Sequence, residues 1–579
     1  MKIKNIKYVT AAMLLGMSMT SCSDFLDRPV EDNYNTENFY SDDASCISGV
    51  NYLYNSPWYD FQRGFIKIGE VMSGNMYWGS SPYLNFSVNG TDQDLVNMSY
   101  SLWAVIGHAN TVYNSISGSG ASQSVKNQCM GECLTWKAMA YFYLARTFGD
   151  VPIVHDNSVI LSAGTYNDLV KVQKADVYDY ILMTLEKAME LLPKTKNTSG
   201  RIDYYCAKGL YAKVLLTAAG VTGSLNNDYL VKASDASLDV IQNSGRKLME
   251  NYADIFRGSN NFSDESLIAW RWTVGAQWTC QNTLQSDLMP QGFDENGDCW
   301  GGWGGPSADL EDAFGYDVKE NPNNRINTDD RRQATMMGPC DIYDYFWRDH
   351  ELGNGKKGLD ILKFFYDKTY NEAATGEFQG PCGVQNVKHA YGDNADHLAE
   401  TGISAGRMAY AVSTHILRLA DVYLVHAEAE VLQGKNNSST ALAAFNAVRS
   451  RSVKSAVDKT TLTFDDIWKE RRLELAGEGD RWYDFVRRSY YDVNACITEL
   501  TNQRRNAIWG CNVAYKKFYE SDYATWDPSS IEYDTSTPKP NVTANSFILP
   551  YPTEDVALNP NLGSNVEPVH VDVRSEYSY

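Results

Sequence analysis

Basic side chains are the scarce component of this chain: 51 Lys and Arg stand against 72 Asp and Glu over 579 residues, a formal net charge of −21. An acidic surface of that size repels phosphate backbones, which excludes nucleic acid as a partner. Hydrophobic runs of membrane length are missing beyond residue 22, and so are the low-complexity linkers that divide a chain into modules. Complete metal-ligand sets are missing too. Cys129 and Cys133 have no neighbouring Cys or His pair to make four ligands, and His426, Glu428 and Glu430 lack a second histidine at zinc spacing. Asp294 to Asp298 begins like a calcium loop, but Cys299 and Gly305 stand where that loop needs Gly and Glu. Gly402-Ile403-Ser404-Ala405-Gly406 copies a hydrolase nucleophile pattern without the buried strand that must precede it. Carboxylates are so many that no pair stands out as a glycosidase dyad. No catalytic residue, metal or cofactor is expected.

The beginning of the chain reads as an address. Lys2, Lys4 and Lys7 precede an apolar stretch from Ala11 to Met19, too short to span a bilayer, and Met19-Thr20-Ser21-Cys22 resembles a bacterial lipoprotein cleavage site. Residues 1–21 are therefore expected to be a signal peptide and Cys22 the lipidated residue of a membrane-anchored protein. Ten cysteines remain in a compartment where disulfides form, and their pairing is not readable from spacing. Cys129 and Cys133, four apart on a helix, are expected to be buried free thiols.

Helix is what recurs. Residues 124–147, 174–192, 203–219, 228–244, 410–433, 438–451 and 464–488 carry apolar residues at three- and four-residue spacing, with Pro193, Gly220 and Gly434 as breakers. A small–aromatic–small rhythm appears as Ala138, Phe142, Ala145, as Ala207, Tyr211, Val214 and as Ala441, Phe445, Val448, which matches the second helix of a tetratricopeptide repeat. The expected fold class is all-α, with helix pairs over 124–244 and 410–488 forming a superhelical scaffold. Residues 245–409 are rich in Gly, Asn, Asp and aromatics and read as a loop-rich insert packed across it, together with both termini.

The insert concentrates Trp270, Trp272, Trp278, Trp300, Trp303 and Trp347. Each is either a plug that seats the insert on the scaffold or an exposed platform. Sugars offer flat C–H patches to aromatic faces and hydroxyls to Asn, Asp and Arg, so exposed loop aromatics are the candidate ligand-binding residues. Trp78, after Gly74-Asn75 and before Gly79-Ser80-Ser81-Pro82, is the expected principal platform. Tyr77, Trp300, Trp303 and Tyr391 are the secondary candidates, and Asp43, Asn75 and Asp393 the expected hydroxyl partners.

Four ordered blocks carry a resemblance to a known family. They are Glu132 to Pro152; Arg418 to Ala429 followed by Asn446 to Arg451; Glu470 to Leu475 running on to Gly479-Asp480-Arg481-Trp482-Tyr483-Asp484-Phe485-Val486-Arg487; and Leu549-Pro550-Tyr551-Pro552 with Asn559-Pro560-Asn561-Leu562. The chain resembles the SusD/RagB family of Bacteroidetes outer-membrane lipoproteins, with Trp136-Lys137 where the family shows Leu-Arg and Tyr551 where it shows Ile. The resemblance implies one SusD-like domain over 22–579, closed by a C-terminal block at 545–579. It implies capture of glycan, delivered to a SusC-like TonB-dependent transporter for which the protein serves as a lid. The whole-chain likeness points to the fructan-utilisation branch, and acidity argues for a neutral sugar. The alternatives are a helical glycoside hydrolase and a peptide-binding lid of the same family. The charges at Glu470, Arg471, Glu474, Glu478 and Arg481 are expected to pair across helical turns as scaffold.

Overall fold

The computed structural model describes residues 39–294 and 297–579. The signal segment 1–21, Cys22, and Glu295 and Asn296 of the calcium-like loop lie outside the described residues.

The scaffold is a stack of antiparallel helices in which each packs on the next. It begins earlier than the sequence pattern suggests, with α1 (Gln93–Ser117), then α2 (Gln123–Phe148), α3 (Lys174–Leu191), α4 (Tyr204–Ala218) and α5 (Asn227–Asn243). Buried polar residues such as Ser99, Ser101 and Asn110 dilute the apolar spacing of α1 and hide it from periodicity. Short side chains set the starts: Asp92, Asp203 and Asn226 each accept two backbone N–H bonds at the first turn of α1, α4 and α5. Helix α2 is sandwiched between α1 and α3, so every side chain from Gly131 to Phe148 is buried and no amphipathic stripe remains. Of the three rhythm sets, all members are buried except Tyr211, which is half-buried with its hydroxyl donating to Glu186 at 3.0 Å.

The chain then leaves for the insert and returns to lay α6 (Leu419–Leu432) directly against α5, continuing the stack. Helices α7 (Ser439–Ser452), α8 (Phe464–Leu475) and α9 (Arg481–Asn502) complete it. Two sequence boundaries shift. Residues 410–418 are not helical, because Thr414–Arg418 forms a buried strand paired antiparallel with Ser266–Trp270, Thr414 opposite Trp270 and Arg418 opposite Ser266. Entry to and exit from the insert are thereby zipped together. The single helix read over 464–488 is two, separated by a corner at 476–480 where Gly477 and Gly479 take φ of 82° and 72°. A Cβ on Gly479 would lie 2.3 Å from the Phe65 ring, so only glycine fits.

The insert has a core of its own, built from residues between Met289 and Ala390 and closed by Ile508, Cys511, Tyr515, Phe518 and Ile531 from the chain after α9. The C-terminal block runs back over the first helices, where Tyr551 stacks on Phe148 at 4.9 Å and the Tyr579 hydroxyl meets Tyr180 and Thr184. All ten cysteines among the described residues are free, with Cys129 and Cys133 buried thiols as expected. No described helix is long and apolar enough to cross a membrane.

Of the charged row expected to pair across helical turns, Arg481 does so along α9, 3.7 Å from Asp484, while the other members are buried and pair between elements. Arg418 bonds Glu265 and Glu478, each at 2.6 Å, and Glu474 at 3.1 Å. Arg451 joins Glu265 and Glu474, Arg331 joins Glu470 and Glu474, and Lys388 reaches Glu478 at 2.8 Å. A second set links Arg471 to Asp421 and Asp484, and Lys213 and Arg146 to Asp480. Burial opposes the charge on Glu478, but Arg418 and Lys388 overcome it and hold the carboxyl down at about 2.

A folded-state value below the unfolded one contributes stability that is present above the ordinary carboxylate range, near pH 4.5, and is lost as pH falls towards 2. Glu478→Gln, which leaves Arg418 and Lys388 buried beside a neutral amide, should cost about 3–5 kcal/mol near neutral pH. Urea unfolding at pH 7 and pH 3 checks this, with the gap between wild type and variant narrowing at the lower pH.

Candidate functional site

Two short strands make a ledge where the scaffold meets the insert. Strand β1 (Met76–Trp78) pairs antiparallel with β2 (Gly304–Pro306), Tyr77 opposite Gly305 and Trp78 opposite Gly304. Asn75 anchors the ledge. Its Nδ2 donates to Glu70 Oε2 at 2.8 Å, its Oδ1 accepts from Arg472 Nε at 2.8 Å, and its carbonyl accepts from Ser307 N at 2.9 Å. Glu70 in turn accepts from Gly479 N at 2.7 Å, so the ledge hangs from the corner between α8 and α9. Burial pushes the Glu70 carboxyl up against the downward pull of these hydrogen bonds.

Successive side chains of a strand face opposite ways, so Tyr77 and Trp78 serve different surfaces. The half-buried Trp78 indole lies on Gly304 and under Lys67 Nζ, 5.3 Å from the ring centroid. Beside it runs a chain of charges: Lys67 pairs with Asp94, and Arg63 lies 3.9 Å from Asp94 and 3.5 Å from Asp287. Asp287 accepts the indole N–H of Trp300 at 2.9 Å. Burial raises the Asp287 carboxyl, while Arg63 and the Trp300 bond oppose the rise. Tyr59 continues the row. Its hydroxyl is pushed up by burial, eased by the Trp278 side chain against it, and raised again by Asp60 and Asp287. Trp78, Trp300 and Trp278 thus flank one polar strip.

Tyr77 faces a cleft of about 970 Å³ on the other side, lined also by Trp300, Trp303, Gln379, Trp509 and Asn512. The four exposed indoles around the ledge are Trp278 at 53%, Trp300 at 44%, Trp303 at 79% and Trp509 at 54% of their full area. A tight turn aims two of them. Gly301 donates to Met289 O at 2.8 Å and Gly304 to Gly301 O at 3.1 Å, and a Cβ on Gly301 would fall 2.3 Å from Asp287 O. Strand β3 (Ile508–Trp509) pairs with β4 (Glu532–Tyr533), burying Ile508 and turning Trp509 outward. Asn512 Oδ1 accepts from Phe378 N at 2.7 Å and from the Tyr366 hydroxyl at 2.8 Å, which holds the 377–381 segment as the opposite wall. Among the described lining residues Glu377 is the one charged side chain.

The structure therefore brings Tyr77, Trp300 and Trp303 into one cleft and sets Trp78 on the reverse face of the same ledge. The other expected residues lie elsewhere. Asn75 is fully buried as the ledge anchor. Asp43 opens the short helix Asp43–Asn51, and its carboxylate accepts from Ser122 N at 2.6 Å and Ser122 Oγ at 2.9 Å at the start of α2. Tyr391 is buried against Tyr410 and His397, and Asp393 is buried as the cap of the helix Asn394–Thr401. Trp270, Trp272 and Trp347 are buried plugs. Trp278 was visible in the loop cluster without a reason to prefer it. Trp509 escaped notice because it lies outside the insert, although Gly510 beside it was a signal. Among the described residues no group of three or more His, Cys, Asp or Glu is gathered to hold a metal.

Residues 250–568 match the profile of the SusD family, and residues 25–216 match one described as starch-binding and associating with the outer membrane. A SusD-like protein of Bacteroides ovatus is 30% identical over 583 residues, covering 97% of both chains. A protein solved with xylogluco-oligosaccharide is 28% identical, with a TM-score of 0.73 over 91% of this chain and 100% of the other. A SusD-like carbohydrate-binding protein of Bacteroides fragilis, 19% identical, shares the fold with a TM-score of 0.67 over 91% of this chain and 100% of that one.

The exposures give a direct test by fluorescence. Trp303→Phe should remove a larger share of the acrylamide-quenchable emission than Trp78→Phe does, because only the former indole stands clear of the surface. Equal losses in Stern–Volmer measurements would contradict this placement.

Proposed function

The chain belongs to the SusD family, and from that footing we propose that it captures neutral glycan at the cell surface and passes it to a SusC-like TonB-dependent transporter as its lid. The observation that carries the glycan reading is the row of indoles about one polar strip, half-buried Trp78 on the ledge and exposed Trp300 and Trp278 beyond it. Sugar rings stack their C–H faces on such indoles, while the half-exposed Arg63 between them, held by Asp287 and Asp94, offers donors to hydroxyls. The net charge of −21 disfavours uronic or sulfated polymers. Flat stacking surfaces suit pyranose chains better than puckered furanoses. The relative at 28% identity that was solved with xylogluco-oligosaccharide supports a xyloglucan-like chain over the fructan suggested by whole-chain likeness.

The proposed action is binding without hydrolysis, which the starch-binding description of the profile matched by residues 25–216 supports. Lipidation at Cys22 would tether the protein beside its transporter, raising the effective concentration of the pair and leaving the body free to swing.

Calorimetric titration of the mature protein against xyloglucan, levan, inulin, starch and mannan tests the assignment, with xyloglucan expected to bind tightest. Trp78→Ala should weaken the cognate glycan by about 1–3 kcal/mol, a ten- to hundredfold rise in Kd, as for loss of one stacking aromatic. A folded Trp78→Ala variant with wild-type affinity would remove Trp78 from the site. Incubation with the same polymers should release no reducing ends, and affinity purification from outer membranes should recover a TonB-dependent transporter.

A further inference from the structure

Resting on the glycan reading above, we propose that the cleft on the Tyr77 side is a second subsite that reads the branches of a glycan whose backbone lies along the Trp78 side. The alternation of β1 divides the two surfaces: Trp78 lies beside the charged strip of Lys67, Asp94, Arg63 and Asp287, and Tyr77 faces a concavity of about 970 Å³, near the upper limit for small-ligand pockets. A straight backbone has no need of such a concavity. A short saccharide protruding from that backbone does.

The walls have the chemistry of a neutral sugar site. Trp303 comes from the turn after Gly301 and Trp509 from β3, two segments distant in sequence, and both indoles are more than half exposed. Gln379 uses its Oε1 to accept from Gln291 N at 3.1 Å, and Asn512 uses its Oδ1 on Phe378 N and the Tyr366 hydroxyl. Each amide keeps its N–H groups as donors for hydroxyl and ring oxygens. Lys, Arg and His are absent from the described lining, so nothing there clamps a carboxylate or phosphate, and Glu377 repels either. Trp300 connects the two surfaces. It lines the cleft while its Nε1 is held by Asp287 on the strip side, which makes it the point where branch and backbone meet.

The test compares ligands that share a backbone and differ in branching: cellohexaose against xylogluco-oligosaccharide, and mannohexaose against galactosylated manno-oligosaccharide. Calorimetry is run on wild type, Trp509→Ala, Trp509→Phe and Trp78→Ala, with thermal unfolding to verify that each is folded. Trp509→Ala should weaken the branched member of the bound pair by about ten- to hundredfold and leave the linear member unchanged. Trp509→Phe should recover most of the loss, and Trp78→Ala should weaken both members. If Trp509→Ala leaves the branched ligand unaffected, or weakens both members equally, the branch subsite is refuted while the Trp78 result still supports the glycan strip. If wild type binds no member of either pair, the pyranose-glycan reading fails and the branch subsite falls with it.

Discussion

The buried network around Arg418, Glu474 and Glu478 is the interaction on which the rest of this structure depends. Arg418 ends the strand that leads the chain out of the insert and into α6, Glu474 lies in the last turn of α8, and Glu478 sits in the corner before α9. Glu265 and Lys388 bring in the two sides of the insert, and Arg451 brings in α7. Buried ion pairs add little net stability over apolar packing, because desolvation offsets the attraction. Their effect is on specificity. A misplaced insert would leave several buried charges without partners, so one docking geometry is selected.

That selection extends to the candidate ligand face. The Gly479 N–H at the corner is bound by Glu70, Glu70 is bound by Asn75, and Asn75 leads directly into β1. Arg472 of α8 reaches Asn75 from the other side and Asp309 of the insert at 2.8 Å. The ledge bearing Tyr77 and Trp78 is therefore fixed to the centre of the molecule by a short run of hydrogen bonds. Rigid placement favours a binding surface made of indoles, since ordering aromatic platforms at the moment of binding would reduce affinity.

Placement also accounts for the division of labour among tryptophans. Trp58, Trp136 and Trp270 pack together inside the scaffold, with centroid separations of 5.4 Å from Trp58 to each of the others. Trp278, Trp300, Trp303 and Trp509 have no such neighbours among the described residues and remain at the surface. Asn75 and Asp393, both preceded by glycine in sequence, belong to the interior because their short polar side chains satisfy buried N–H groups and charges. Loop composition alone cannot separate an exposed hydroxyl partner from a buried cap, since both roles favour Asn and Asp.

The sequence by itself determined most of the scaffold helices, the small–aromatic–small packing rhythm and the family blocks. These depend on spacings of three, four and a few dozen residues, which are written along the chain. Tertiary structure alone decided which aromatics face solvent and on which side. The facing of Tyr77 and Trp78 is set by pairing with Gly305 and Gly304, far along the chain, and a one-residue slip in that register would exchange the two surfaces. Trp509 joins the cleft only because the segment after α9 closes the core of the insert. The strand that replaces the start of the expected helix at 410 likewise exists because Ser266–Trp270 lies beside it, and no local signal in 410–418 could reveal that partner. Exposure and pairing arise between segments remote in sequence, and for that reason packing, not composition, made the candidate site.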